Sequence, residues 1–437
     1  MSFPAEKSLA EAHGSVPIPA NAGFWRKLFA FAGPGYLVAV GYMDPGNWAT
    51  DLAGGAQFGY ALLSVVMLSN LMAILLQSLA ARLGIATSLD LAQACRAYYS
   101  KRTALVLWVF AEIGIAACDL AEVIGSAIAL QLLFGLPMIV GVLLTSLDVL
   151  IILFLQHHRY RVLEAVVVTL IVSMAAAFAI EVYLSRPDLA AALKGFLPTT
   201  EIIRNPTMLY LAIGILGATV MPHNLYLHSS IVQTRKYGES DAGRHEAIRF
   251  ANIDSAVALT AALFVNAAIL VVAAANFHGT GYESVADISD AYKLLAPILG
   301  TSVASTLFAL ALLCSGQNST LTGTLAGQIV MEGFLNFRMR PWLRRLITRS
   351  LAIIPAVIAV ALYGDRGSGS LLILSQVVLS LQLPFAVFPL VAFTGDRRKM
   401  GRFVAPRWMQ WLAWPVAVVI AGLNAWLLVQ MVGGWLA

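Results

Sequence analysis

Two short strings place ligating side chains inside apolar surroundings. They read Gly41-Tyr42-Met43-Asp44-Pro45-Gly46-Asn47-Trp48 and Gly217-Ala218-Thr219-Val220-Met221-Pro222-His223-Asn224. Superimposed with a shift of 177 residues they share the pattern x-Pro-x-Asn, which aligns Asp44 with Met221 and Asn47 with Asn224. Proline removes a backbone donor and clashes with the preceding turn, so each string predicts a broken helix. Two ordinary proline kinks would produce the same breaks, but a kink needs no aspartate, asparagine or histidine. Unwinding frees carbonyl oxygens, and Gly41 and Ala218, each three residues ahead of Asp44 or Met221, are the expected carbonyl donors. An aspartate at the centre of a bilayer costs about 2.5–3.5 kcal/mol on insertion scales. No Lys or Arg lies mid-segment in either string's helix, so Asp44 calls for a cation or a proton. Asn47 adds an amide oxygen. Oxygen donors alone suit magnesium or calcium. The Met221 thioether is a soft donor and favours manganese, iron, cobalt or cadmium. Simple packing is the usual role of methionine in an apolar helix and weighs equally here.

Further along, Glu112, Asp119 and Glu122 share one apolar run. At about 100° per residue, Glu112 and Asp119 project within about 20° of each other, with Glu122 about 60° further round. Carboxylates on one face of a membrane helix avoid lipid and line interior routes, as in proton relays. A structural ion pair is the plainer role for Glu112, near a basic end. His223, beside the second break, has the side-chain chemistry for proton handling. His228 reads as structural. Gln376 follows Leu374-Ser375 in a segment that repeat logic sets opposite the fifth, which makes it a further candidate ligand. No GxSxG, Walker A or dinucleotide motif stands in a credible context, so an enzyme is not expected.

These residues need helices in lipid to hold them. Of 437 residues, 59% are hydrophobic and only 12% charged, too few polar groups to cover a soluble protein of this length. Continuous apolar runs exclude a membrane β-barrel. Eleven spans are expected, near 28–52, 59–81, 104–134, 137–156, 161–184, 207–232, 251–276, 297–331, 348–363, 370–394 and 408–434. With the N-terminus inside, only Arg186, Lys194, Arg204, Lys293 and Arg366 of the 28 Lys and Arg residues fall outside. The positive-inside rule is then met at every connection, which predicts a cytoplasmic N-terminus and an external C-terminus. Topology also explains the +5 net charge without nucleic acid. The three cysteines form no CxxC pair, so neither a zinc site nor a disulfide framework is indicated. Five spans separate the two breaks, so the halves are inverted, as in secondary transporters. The expected organisation is a disordered cytoplasmic tail at 1–23, a five-helix repeat at 24–190, its inverted counterpart at 207–394, and an eleventh span at 408–434.

The two strings, together with DLAEVIGSAIALQLL and LLCSGQNSTLTGTLAGQIVMEGF, closely resemble the Nramp family of divalent metal transporters over nearly the whole chain. The length and span count resemble its bacterial manganese-transporting branch. The resemblance implies an all-α, LeuT-type fold of 11 transmembrane helices with helices 1 and 6 broken. It also implies proton-coupled uptake of Mn²⁺, with Fe²⁺, Co²⁺ and Cd²⁺ as further substrates, across a bacterial plasma membrane and without a resident cofactor. By the same resemblance Asp44, Asn47 and Met221 bind metal, Gly41 and Ala218 give carbonyls, and Gln376 joins them. Many relatives carry alanine where Gly41 stands. Proton-route positions fall on Asp44, Asp119, Glu122 and His223, and an inner salt-bridge network on Glu112, Arg235, Arg344 and Arg345. Relatives that carry magnesium or aluminium lack the methionine, and Met221 argues against those substrates. A monomer is expected to suffice for transport. A sodium-coupled amino-acid carrier of the same fold, or a metal-gated channel or sensor, are the competing readings. Asp44 opposes the first by repelling a carboxylate substrate.

Overall fold

The computed structural model describes residues 7–10, 12–19, 21–147, 160–283, 285, 287–336, 343, 347, 350, 353–358, 360–361 and 368–436. Helices account for nearly all of it. The first half contains α1 (Phe24–Phe31), α2 (Pro34–Gly41), α3 (Pro45–Phe58), α4 (Leu63–Thr87), α5 (Leu91–Tyr98), α6 (Lys101–Phe134), α7 (Met138–Leu144) and α8 (Tyr160–Ser185). Short α9 (Leu189–Gly195) and α10 (Glu201–Arg204) lead to α11 (Pro206–Thr219), α12 (Pro222–Ile231), α13 (Asp241–Phe277), α14 (Ile288–Leu299) and α15 (Ser302–Leu335). The chain closes with α16 (Ser368–Gly395), α17 (Arg397–Met400) and α18 (Arg407–Leu436). Nine of the eleven expected spans coincide with these helices. Parts of the spans at 137–156 and 348–363 lie outside the described residues. Among the described residues, seven helical stretches are by length and composition apolar enough to cross a membrane, the stretch Pro45–Thr87 including both α3 and α4.

Both predicted breaks are present. The first helix stops at Gly41 and restarts at Pro45; the second stops at Thr219 and restarts at Pro222. Each proline occupies the first turn of the restarted helix, where its missing N–H costs nothing and its fixed φ suits the helix. The pairing of helices repeats between halves. The first broken helix packs on α13 and the second on α4; α6 packs on α16 and α15 on α8. Long α6 and α15 also pack against each other through the middle of the molecule. That exchange of partners is what two five-helix repeats related by a two-fold axis require.

One expectation fails. The tail was expected to be disordered over 1–23, yet its described residues are built into the fold. Leu9 and Val16 are buried, and Val16–Pro17 (β1) pairs in parallel with Arg235–Lys236 (β2). The cause is local: two isolated apolar side chains find a core, and the backbone between them satisfies its N–H groups on the segment after α12. Gly14 donates to the Gln233 carbonyl at 3.0 Å and Ile18 to that of Lys236 at 3.3 Å.

Candidate metal-transport site

At the first break the chain has two jobs, satisfying freed carbonyls and holding an aspartate. Neighbouring helices take part of the first. Asn266 of α13 donates to the Tyr42 carbonyl at 2.7 Å, and Ser315 of α15 to that of Met43 at 2.5 Å. Asp44 caps α3, its Oδ1 accepting from the Asn47 backbone N–H at 2.7 Å, as N-cap carboxylates do. Its Oδ2 is buried without a hydrogen-bond partner. Among the described residues no cationic side chain lies within ion-pair distance of Asp44.

The Asn47 side chain ties the two breaks together. Its Nδ2 donates to Asp44 Oδ1 at 2.7 Å, to the Ala218 carbonyl at 3.0 Å and to the Gly41 carbonyl at 3.4 Å. Three oxygens from two broken helices therefore converge on one electropositive group. Asn47 Oδ1 accepts from Asn266 Nδ2 at 3.3 Å. Met221, Asn224 and Gln376 complete the surroundings, all buried. Asn224 Nδ2 lies 3.7 Å from Met221 Sδ and 3.4 Å from the Val38 carbonyl, and a Cβ on Gly41 would meet that amide at 2.3 Å. The Gln376 amide rests on Gly46, where a Cβ would come within 1.7 Å of Nε2, while the Gln376 carbonyl presses on Gly217 of the other break. Gln376 Oε1 is buried with no partner. The structure thus gathers Gly41, Asp44, Asn47, Ala218, Met221 and Gln376 around the paired breaks. Among the described residues no three His, Cys, Asp or Glu side chains form a metal cluster. A donor set of carbonyls, amides, one thioether and one carboxylate contains only one such residue.

Asp119 and Glu122 of the α6 stripe face α15. A Cβ on Gly323 would meet Glu122 Oε1 at 2.8 Å and Asp119 Oδ1 at 3.1 Å, so the glycine makes room for both acids. Cys118 links the stripe to the second break: its Sγ lies 3.6 Å from Glu122 Oε1 and 3.7 Å from His223 Nε2. One turn on, a Cβ on Gly125 would strike the Pro45 ring at 2.2 Å, so α6 abuts the first break directly. His228 bonds Gln77 at 3.0 Å, and Gln77 donates to the Tyr42 hydroxyl at 2.8 Å, a structural chain beside the site.

The expected salt-bridge network is arranged differently. Arg235 pairs with Glu164 at 2.6 Å, not with Glu112. It also donates to the carbonyls of Phe31 and Ala32 at 2.8 and 2.9 Å. Glu112 accepts from Trp108, one turn back on its own helix, at 2.9 Å. Arg344 and Arg345 lie outside the described residues. The arginine is drawn to the α1–α2 elbow because that elbow offers the Phe31 carbonyl and, shared with Arg161, the Ala32 carbonyl beside an acid. Gly33 is indispensable there: its φ is +143°, and a Cβ would lie 2.2 Å from Arg235 and 2.5 Å from Glu164. Asp254 accepts from Gly35 N–H at 2.7 Å and fixes the start of α2. Sequence reasoning missed Glu164, Asp254, Asn266, Ser315 and Cys118. Only Asn266 and Asp254 carried a usable signal, as polar residues inside an apolar run.

Comparison with known proteins agrees with this geometry. The family model Nramp, natural resistance-associated macrophage protein-like, matches residues 35–430. A Nostoc protein named divalent metal cation transporter MntH is 64% identical over 429 residues, covering 98% of this chain and 97% of that one. The crystal structure of the Eremococcus coleocola manganese transporter is 42% identical with a TM-score of 0.89, covering 96% of this chain and 90% of that one. Mhp1, a nucleobase-cation-symport-1 family transporter, is similar in fold alone, at 15% identity and a TM-score of 0.61 over 88% of this chain and 82% of that one. The all-α architecture with two inverted repeats and broken helices 1 and 6 is the LeuT-type fold.

Proposed function

The chain belongs to the Nramp family of divalent metal cation transporters, and on that premise we propose that it is a proton-coupled symporter taking up Mn²⁺ chiefly, with Fe²⁺, Co²⁺ and Cd²⁺ as further substrates. One observation carries the proposal: a single amide N–H₂ group, that of Asn47, is hydrogen-bonded to three oxygens drawn from both helix breaks. Oxygens that converge on one positive group can take a cation when the amide turns and presents Oδ1 in its place. Asp44 supplies the charge, Gly41 and Ala218 the carbonyls, Asn47 and Gln376 amide oxygens, and Met221 the sulfur that favours transition metals over magnesium and calcium. Protons travel by His223, Cys118, Glu122 and Asp119, with Asp44 exchanging its proton for the metal. The distribution of Lys and Arg among the loops supports a bacterial plasma-membrane reading with the N-terminus cytoplasmic and the C-terminus outside. All the proposed ligands come from one chain, so a monomer suffices.

The test is Asp44→Asn, in which the one anionic ligand becomes neutral while the cap geometry is kept. Mn²⁺ binding by calorimetry and Mn²⁺ uptake into proteoliposomes should both be lost. Near-normal Mn²⁺ binding in that variant would refute the assignment. Uptake that neither saturates nor depends on pH in the wild-type protein would favour the channel reading.

A further inference from the structure

Away from the helix breaks, the tail lines a cavity. The tail is anchored twice. Ser8 hydrogen-bonds Asp90, at the start of α5, and Ser230 in α12; Gly14 and β1 bond the segment after α12. Beside these anchors lies a cavity of about 300 Å³. Lys7 and His13 line it from the tail, Lys236 and Arg244 from the connector joining α12 to α13, and Gln233 and Arg235 from below.

The charges do not balance. Arg235 is neutralised by Glu164 at 2.6 Å. Among the described residues no carboxylate pairs with Lys7, Lys236 or Arg244, and Glu239 is the one acid lining the cavity. Three cations against one anion leave about two positive charges around a half-open cavity. Burial chiefly, and the adjacent Lys7 to a lesser extent, push the His13 imidazole below its ordinary value. Gln233 is 2% exposed; its Nε2 donates to the Ser229 carbonyl at 2.9 Å, and its Oε1 is buried with no partner. An occupant should therefore carry about two negative charges.

We propose that this cavity binds a phosphoryl oxyanion of the hydrogenphosphate type, free or as a phosphomonoester headgroup, and that the bound anion staples the tail to the α12–α13 connector. The ammonium and guanidinium groups of Lys7, Lys236 and Arg244 neutralise the oxygens. Because α12 is the second half of a broken helix, the staple bears on the part of the fold that must move during transport. The site shares no residue with the proposed metal site, so its test stands apart from the metal reading.

The experiment uses the full chain purified in neutral detergent. Equilibrium dialysis with radiolabelled inorganic phosphate should show saturable binding. Hydrogen exchange of residues 7–18 should slow when phosphate is bound. Lys7→Gln with Lys236→Gln should weaken binding at least tenfold, whereas Arg397→Gln with Arg398→Gln, exposed cations elsewhere, should leave it unchanged. Nanodiscs of phosphatidylcholine with and without phosphatidic acid separate the sources: protection of the tail by phosphatidic acid alone assigns the headgroup. The proposal is overturned if neither phosphate nor phosphatidic acid binds saturably and protects the tail. Equal loss of binding in the two double variants would also overturn it, since that is generic charge attraction.

Discussion

Replacing Gly46 by alanine tests whether Gln376 belongs to the transport site. Gly46 is not among the residues of positive φ, so its backbone suits alanine, and inside α3 that change favours the helix by about 0.5–1 kcal/mol. Any loss must then come from the added methyl. A Cβ there would lie 1.7 Å from Gln376 Nε2 and 2.2 Å from its Cδ. Carbon atoms do not approach amide nitrogen closer than about 3.0 Å, so the amide must withdraw by more than about 1 Å. That breaks its 2.9 Å bond to Ser375 Oγ and carries Oε1 away from the break. Losing one oxygen ligand needs to cost only about 1.4 kcal/mol to weaken Mn²⁺ tenfold. Mn²⁺ binding by calorimetry and uptake in proteoliposomes should therefore fall at least tenfold in Gly46→Ala, with thermal stability near wild type. Gln376→Ala should cost about as much. The double variant should cost no more than Gln376→Ala alone, because the methyl then has nothing to displace. Wild-type uptake in Gly46→Ala, or additive losses in the double variant, would refute the reasoning.

Met221→Ala should weaken Cd²⁺ most and let Ca²⁺ and Mg²⁺ compete better against Mn²⁺ uptake. Met221→Leu keeps the volume without the sulfur and should share the loss of Cd²⁺; full Cd²⁺ affinity in the leucine variant would mean that the methionine only packs. Glu122→Gln, Asp119→Asn and His223→Ala should reduce proton flux or its pH dependence more than metal binding, measured together in proteoliposomes; unchanged proton entry in all three would make the stripe structural. Asp90, outside the membrane spans, is pushed up to about 6 from 3.8 by burial, with the Ser8 and Gln93 bonds offsetting part of that. Its native value lies above its unfolded one, so the ionised form costs stability above about pH 6, and the cost disappears as pH falls toward 4. The size is about 3 kcal/mol. Melting temperature should accordingly rise less between pH 7 and 5 in Asp90→Asn than in wild type, and an equal rise would count against it.

Much of the site was legible because its signals are local. A proline with flanking glycines marks a break wherever it stands, and the repeated x-Pro-x-Asn aligned the two breaks without any structure. The α6 stripe followed from helical periodicity alone. Partners across the fold were less accessible. Arg235 has several acids within reach of any topology, and only the α1–α2 elbow, with its Phe31 and Ala32 carbonyls, decides for Glu164. Leu9 and Val16 are single apolar residues with no period, so nothing in the tail announced that it packs. Cys118 stood in an apolar run as a small hydrophobe; its place between Glu122 and His223 depends on how α6 meets α12.

The freed carbonyls at the first break separate into two kinds, and the difference bears on how a carrier handles its cargo. Those of Tyr42 and Met43 are held by Asn266 and Ser315, fixed donors on α13 and α15. Those of Gly41 and of Ala218, from the second break, are held by the Asn47 amide, a group that can rotate. With N–H₂ turned inward, the amide satisfies the oxygens that would otherwise face one another in a dry interior, where an unpartnered buried polar group costs about 1–3 kcal/mol. With Oδ1 turned inward, the same side chain would join them as a ligand, as the proposed function requires. A carrier must cross the membrane both with and without its ion. A site that supplies its own substitute for the cation lowers the cost of the second crossing, and Asn47 is the residue placed to do so.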